Sequence, residues 1–264
     1  MRPGLFVRKA LNRLFLRKWT IDRQRADAMR LAEGFPQGFR DEIGFWALEL
    51  SGHGYHPELL DRAKVRGMTE AYPHQLDVLV ADFAPRVPRV ADVGSGPLSQ
   101  LAFGAYQARI VLTAIDPLAD VYQRLIRLNR LLEQAKYKRL ALEAESLADT
   151  CGEGAFEIVW CRNALDHSRN PALAFRSMVR ALAPGGYLVL PQKAWEGTEE
   201  NWHGLHQHDV YVDQQNRLML QSMINGRLSE PCCLSCDLPL ERISSTGPSS
   251  KVGEWFEIVW RKAG

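Results

Sequence analysis

The sequence has no hydrophobic run approaching the roughly 18 apolar residues that a bilayer crossing needs. Charged residues interrupt its first stretch, Met1 to Lys9, so the apolar region of a signal peptide is missing as well. Cysteine is scarce and clustered late, with five residues in 264, which does not suggest a disulfide framework. With 264 residues, of which 46% are hydrophobic, the chain is long enough to form a core of its own. We expect a cytoplasmic protein.

A zinc-finger pattern is also missing. The segment Cys232 to Cys236 contains one Cys-x-x-Cys pair, and no second pair follows at finger-like spacing. These cysteines could join His203, His206 and His208 in a zinc site. With one pair only, we expect ordinary thiols here and no metal.

The net charge of +2 hides an uneven distribution. Residues 1–30 hold nine Arg or Lys against Asp22 and Asp27. Between Leu5 and Trp19 the apolar side chains share one helical face and the basic ones another. Such a helix packs on its own domain or, as the alternative, makes a peripheral contact with an anionic membrane through residues 1–20. No recognition motif accompanies the basic patch, so nucleic-acid binding is not expected.

A strand, a glycine turn and a helix are predicted around residues 89–103. Val90 to Val93 is apolar apart from its acid, as in a strand buried on both faces of a parallel sheet. Gly94-Ser95-Gly96 then allows a sharp turn in which a ligand can approach the backbone. This order is typical of a nucleotide site at the carboxyl edge of an open α/β sheet. Position 99 is Ser rather than Gly, which argues against a dinucleotide pyrophosphate.

Acidic residues end two neighbouring predicted strands. Asp92 lies at the end of the first, and Asp116 ends a second strand over Ile110 to Ile115. A carboxylate in the place of Asp116 can accept hydrogen bonds from both hydroxyls of a ribose. An ordinary turn aspartate before Pro117 is the alternative.

Five segments in order resemble the class I S-adenosylmethionine-dependent methyltransferases. They are Val90 to Gly96 (first motif), Ile115-Asp116 (ribose-binding acid), Leu142 to Leu147 (adenine bracket), Phe156 to Cys161 (fourth strand) and Leu182 to Leu188 (turn into the fifth strand). Five ordered matches over about a hundred residues are hard to produce by chance.

The resemblance implies a Rossmann-like α/β fold, with a seven-stranded mostly parallel sheet and helices on both faces. An N-terminal basic helix and helical cap would occupy residues 1–85, and the S-adenosylmethionine-binding domain residues 86–264. A β-hairpin insert is expected after the fifth strand, over Asp209 to Gln221. A second hairpin, Leu238 to Arg261, would close the sheet.

The resemblance also implies the residues that bind the cofactor, S-adenosyl-L-methionine. They are Asp92, Gly94, Ser95, Gly96, Asp116, Pro117, Glu143, Ala144, Glu145, Arg162 and Asn163. Glu143 stands where the family usually has Asp, and Glu145 would serve if the loop is shifted. Either acid could accept a hydrogen bond from the adenine amino group.

Three histidines are candidate catalytic residues. His167 follows the fourth strand, where its loop would lie above the sulfonium, and an imidazole can take a proton from a hydroxyl. His206 and His208 lie in a Gly-Leu-His-Gln-His segment that is expected to face the acceptor. Purely structural roles are the alternative for all three. His53 and His56 could also touch the acceptor.

The predicted function is transfer of a methyl group from S-adenosylmethionine to a small-molecule or glycan-like acceptor, with oxygen favoured. The basic helix would suit an acceptor presented at a membrane, such as a lipid-linked saccharide. One alternative is a methyltransferase-like protein that binds ligand without catalysis. The other is a nicotinamide-dependent oxidoreductase, for which the chain lacks Gly at position 99 and a hydride-handling site.

Overall fold

A computed structural model describes residues 26–54, 60, 65–131, 135–249 and 251–264. The predicted helix within residues 1–20 and His56 lie outside the described residues. Within the described ranges, no helix combines the length and hydrophobicity required to cross a membrane.

The helical region before the sheet differs in its boundaries from the prediction. It comprises a helical segment at 26–31, then α1 (Gln37–Leu50), α2 (Val65–Ala71) and α3 (Gln75–Ala81). The sequence predicts a helix from Ala71 to Phe83, but α3 begins only at Gln75. Pro73 separates α2 from α3, because proline lacks the backbone donor that a continuous helix needs.

The described residues form eleven strands. They are β1 (Arg89–Val93), β2 (Val111–Ile115), β3 (Lys138–Leu140), β4 (Phe156–Cys161), β5 (Leu182–Lys193), β6 (His208–Val212), β7 (Leu218–Ile224), β8 (Arg227–Leu228), β9 (Cys232–Cys233), β10 (Leu240–Ser245) and β11 (Trp255–Lys262). Seven form one sheet in the order β10-β11-β5-β4-β1-β2-β3. Strands β1 to β5 are parallel, and β11 runs antiparallel to both β5 and β10. The predicted seven-stranded, mostly parallel sheet is confirmed.

Helices cover both faces of this sheet. They are α4 (Ala102–Tyr106), α5 (Ala119–Leu128), α6 (Leu147–Cys151), α7 (Pro171–Ala181) and the short α8 (Glu196–Glu199), together with α1 to α3. Alternate residues of a strand point to opposite faces. Ala91 accordingly packs in one cluster with Phe175 of α7, and Val90 in another with Leu76 of α3.

Two predicted boundaries along the sheet are wrong. The crossover helix α5 ends at Leu128, well before the expected Ala135. The Pro184 to Gly186 turn lies inside β5, which begins at Leu182, and the pairing of β4 with β5 shifts its register beside it.

The segment after β5 folds into a small sheet of its own. Strands β6 and β7 form the predicted hairpin, and β8 and β9 both pair with β7. Cys233 at the end of β9 forms a disulfide with Cys236, so the expectation of free thiols is wrong for this pair. A disulfide sulfur is no thiolate ligand, which removes both residues from the zinc site considered above.

Candidate active site

A cavity of about 1410 Å³ lies at the carboxyl ends of the parallel strands. Its lining includes every site residue predicted from the sequence: Asp92, Gly94, Ser95, Gly96, Asp116, Pro117, Glu143, Ala144, Glu145, Arg162, Asn163, His167, His206 and His208. Parallel strands end at one edge of a sheet, so loops that are far apart in sequence meet there. His53 does not belong to this lining; its Nδ1 lies 3.0 Å from the hydroxyl of Ser51.

The glycine loop after β1 is held against the end of β2. The backbone amides of Gly94 and Ser95 donate to the carbonyl of Ile115 at 2.8 and 3.2 Å. Gly94 has φ +69°, and a Cβ there would lie 2.1 Å from the Cβ of Ala164. Both the backbone angle and the close approach therefore require glycine.

Asp116 is fixed by the glycine loop and by its own turn. Its Oδ2 accepts from the amide of Gly96 at 3.0 Å, and its Oδ1 accepts from the amide of Leu118 at 2.8 Å. The side chain is 7% exposed, and burial raises the pKa of its carboxyl to about 7. Each carboxylate oxygen has room for a further hydrogen bond, which fits the two hydroxyls of a ribose.

Asp92 has a structural partner in Ser99. The Ser99 hydroxyl donates to Asp92 Oδ2 at 2.5 Å and accepts from the amide of Leu101 at 3.1 Å. The residue that replaces the third glycine of the dinucleotide pattern thus ties the end of β1 to the start of α4.

The acids of the Leu142 to Leu147 segment lie at the rim of the cavity. Glu143 Oε1 accepts from Arg169 Nη2 at 3.1 Å, and Glu145 Oε1 accepts from the amide of Asn170 at 2.8 Å. The Glu143–Arg169 pair is exposed, so it adds little stability. A ligand can replace it at small cost.

Arg162 and Asn163 connect the loop after β4 with its neighbours. The guanidinium carbon of Arg162 lies 4.5 Å from the ring centre of Trp255. Asn163 Oδ1 accepts from the amide of Lys193 at 2.8 Å. The loop is thereby anchored to β5 and β11.

The loop after β4 and the loop before β6 meet at Asp166. This carboxylate is fully buried and accepts from Gln192 Nε2 at 2.9 Å. Its Oδ2 lies 3.0 Å from His206 Nδ1 and 3.4 Å from His167 Nε2. The two imidazole nitrogens are themselves 3.2 Å apart. Two of the three predicted histidines are therefore adjacent, and the acid between them was not predicted as a site residue.

Within this cluster, the carboxylate of Asp166 and the imidazole of His206 each stabilise the charged form of the other. Burial opposes ionisation of Asp166, but His167, His206 and the amide of Gln192 lower the pKa of its carboxyl to about 2. Burial likewise disfavours a charged His206, yet the Asp166 carboxylate and neighbouring glutamates raise the pKa of this imidazole.

The ring of His208 has two hydrogen-bond partners. Its Nδ1 lies 2.7 Å from the hydroxyl of Ser222 on β7, and it also hydrogen-bonds to the backbone of Ser168. Burial lowers the pKa of its imidazole. These contacts hold β6 and β7 against the loop after β4.

Three residues of the lining were missed as site residues. Glu196 in α8 is 6% exposed, and its Oε2 lies buried without a hydrogen-bond partner among the described residues. Burial raises the pKa of the Glu196 carboxyl to about 7. On α1, Trp46 Nε1 donates to Glu42 Oε1 at 2.7 Å, and the Trp46 ring lies against Gly96. In the sequence, the adjacent aromatic residues Phe45 and Trp46 are a signal for this part of the site.

Residues 91–190, which run from β1 into β5, match the family model of a methyltransferase domain. The chain therefore contains a methyltransferase domain, and it resembles the class I S-adenosylmethionine-dependent methyltransferases in the order of its motifs. It is an enzyme that uses S-adenosylmethionine as its methyl donor, and neither the oxidoreductase nor the non-catalytic alternative is retained.

Solved structures include similar folds. The 1,6-didemethyltoxoflavin-N1-methyltransferase of Burkholderia thailandensis is 19% identical; the match covers 83% of this chain and 89% of that one, with a TM-score of 0.44. The N-methyltransferase NodS of Bradyrhizobium japonicum is 16% identical over 76% of this chain and 97% of its own, with a TM-score of 0.44. A comparison with curated proteins gives no match.

Proposed function

We propose that this methyltransferase methylates a hydroxyl oxygen of a small-molecule or saccharide acceptor. The observation that carries the proposal is that His167 and His206, which line the cavity, converge on Asp166, which is buried behind them. A hydroxyl must lose its proton as the new bond to carbon forms, and a wall of imidazole and carboxylate groups can assist that loss.

The donor is assigned to the opposite wall of the cavity. Asp116 would accept hydrogen bonds from the ribose, and Gly94 to Gly96 would bring backbone close to the donor. Glu143 to Glu145 would border adenine, with Glu143 or Glu145 accepting from the amino group. Asp92, Pro117, Arg162 and Asn163 would complete this wall, in part by holding its loops.

The size of the cavity supports two ligands at once. Sites for one drug-sized molecule measure about 300–1,000 Å³, and this cavity is about 1410 Å³. The sulfonium of the donor supplies an electrophilic methyl group. The task of the residues is to hold the acceptor oxygen in line behind that methyl.

The three histidines receive different roles in this proposal. His167 and His206, with Asp166, act on the acceptor hydroxyl. His208 positions the insert, because its ring already has partners in Ser222 and the backbone of Ser168. An acceptor at a membrane would be approached through residues 1–20.

An amine acceptor is the second candidate. The lining has five glutamates against two arginines, Arg162 and Arg169, which favours a cationic ligand. The glutamates are Glu42, Glu143, Glu145, Glu196 and Glu200. A protonated amine would be attracted to this wall and would also have to lose a proton before reaction.

The test is a transfer assay with methyl-labelled S-adenosylmethionine. Matched pairs of acceptors that differ only in bearing a hydroxyl or an amine at one position identify the acceptor atom. We expect labelled methyl ethers, and Asp166→Asn should lower turnover more than the exposed control His203→Ala. Exclusive formation of N-methyl products would contradict the oxygen assignment and support the second candidate.

A further inference from the structure

Three polar atoms from three side chains form a nearly equilateral triangle at the edge of the cavity, where His167 and His206 belong to the lining and Asp166 is buried beside them. The atoms are Asp166 Oδ2, His206 Nδ1 and His167 Nε2, and their separations are 3.0, 3.2 and 3.4 Å. They are brought together by two loops, one following β4 and one preceding β6.

Hydrogen bonds cannot account for all three sides of this triangle. A neutral imidazole nitrogen carries either a hydrogen or a lone pair, and the carboxylate oxygen only accepts. If both His167 Nε2 and His206 Nδ1 carry hydrogens, these face each other across 3.2 Å. If one carries a lone pair, that lone pair faces the lone pairs of Asp166. In every arrangement, therefore, two hydrogens or two lone pairs face each other along one side of the triangle.

A single cation satisfies all three sides. Imidazole nitrogen and carboxylate oxygen bind divalent transition metals at about 2.0–2.2 Å. Two ligand atoms at such distances, at tetrahedral or octahedral angles, lie about 3.0–3.4 Å apart. The observed separations fall in this range.

We propose that Asp166, His167 and His206 bind one divalent first-row transition-metal ion, such as Mn²⁺ or Zn²⁺. Two imidazoles and one carboxylate on one face of an ion form a known donor set that leaves further positions open. Because His167 and His206 line the cavity, an acceptor in the cavity could reach such a position. From the sequence no metal was expected, because only one Cys-x-x-Cys pair is present.

Glu196 supports the site independently. It lines the same cavity, is 6% exposed, and its Oε2 has no hydrogen-bond partner among the described residues. A buried carboxylate oxygen without a partner is costly. Lys193 Nζ lies 3.9 Å from the other oxygen, Oε1. A cation beside Asp166 would supply a partner for Oε2 through a bound water.

The role of the ion rests on the proposed function, although its binding does not. An acceptor hydroxyl that coordinates the ion becomes more acidic and releases its proton to water in the open cavity. The oxygen lone pair then forms the bond to the methyl carbon, while the sulfur of the donor retains the electrons of the broken bond. His167 and His206 would act as ligands in this step, rather than as bases.

The test is a Mn²⁺ titration of the full chain after treatment with chelator, followed by electron paramagnetic resonance. Mn²⁺ is chosen because it prefers oxygen and imidazole to thiols, so Cys232 does not interfere. We expect one ion per chain. Loss of a supporting partner typically weakens metal binding about 10- to 100-fold, so Asp166→Asn and His206→Ala should weaken it by at least that factor.

His203→Ala is the matched control, since this exposed histidine lies in the same insert and outside the cavity lining. It should bind Mn²⁺ as the unmodified protein does. Binding of S-adenosylhomocysteine reports folding in each variant, and His167→Gln replaces any variant that fails to fold. No bound Mn²⁺, Co²⁺ or Zn²⁺, or equal affinity in the ligand variants, would overturn the site and leave a hydrogen-bonded Asp166–His206 pair. Because no acceptor is needed, failure of the oxygen assignment leaves this result unaffected.

Discussion

Asp116 is the residue through which the donor wall can be tested most directly. If its carboxylate holds the ribose, Asp116→Ala removes charged hydrogen bonds worth roughly 1.5–3 kcal/mol. Affinity for S-adenosylmethionine and S-adenosylhomocysteine should then fall together by about 10- to 150-fold, measured by calorimetry at pH 8. Unchanged affinity in a folded variant would refute the assignment.

The same carboxyl predicts a pH dependence of donor binding. Its pKa is raised to about 7 by burial, and the ribose hydroxyls prefer the ionised form. Donor affinity should therefore be constant above pH 7 and fall by up to about tenfold per unit below it. Calorimetry with S-adenosylhomocysteine from pH 5.5 to 8.5 measures the profile. Asp116→Asn should flatten it; an identical slope in that variant would assign the titration to another group.

Alanine substitutions at Gly94 and Gly226 distinguish the cost of backbone strain from the cost of a steric clash. An alanine at a positive φ costs roughly 1–2 kcal/mol, and at Gly94 its Cβ would also collide with Ala164. Gly94→Ala should lower the melting temperature more than Gly226→Ala, where φ is +73° and the space around the Cβ is open. Equal losses in the two variants would show that the loop relaxes around Ala164.

Among single residues, the sequence predicted those whose role follows from a motif. Gly94, Gly96 and Asp116 are fixed by local turn chemistry, and they line the cavity as expected. Asp166 and Glu196 could not be selected in this way. Their importance comes from burial and from neighbours on distant segments, which a single sequence does not display.

At the scale of elements, the start of α7 sets the position of the loop that carries His167. Asn170 Oδ1 caps this helix by accepting from the amide of Leu173 at 3.1 Å. Asn170→Ala should reduce the free energy of unfolding by about 1 kcal/mol. Asn170→Asp keeps an accepting oxygen and should retain most of it in denaturant titrations. Equal losses in both would assign the effect to something other than the cap.

Helices and strands were predicted well where the apolar spacing agrees with residues that typically start or end an element, and poorly elsewhere. The Asn170-Pro171 start of α7 is an example of agreement. The break at Pro73 was overlooked because apolar spacing on both sides resembles one helix. The disulfide between Cys233 and Cys236 depends on how β9 places its end, which residue spacing alone does not determine.

At the scale of the whole molecule, residues 1–20 can be tested for a role in folding and for a role in membrane binding. Their removal should leave the sheet folded, since its first strand begins at Arg89. If the segment binds membranes, the full chain should sediment with anionic vesicles at low salt, less so as salt rises. The truncated chain should remain in solution. Absence of vesicle binding by the full chain would leave only packing on the parent domain.

The small sheet of β6 to β9 has consequences for how such an enzyme diversifies. Its strands pair with one another, apart from the ladder of the seven-stranded sheet. Mutations in β6 or β7 can therefore reshape one wall of the cavity while the pairing that fixes Asp116 stays intact. Descendants of one ancestor can inherit the donor chemistry unchanged and acquire new acceptors through this segment alone.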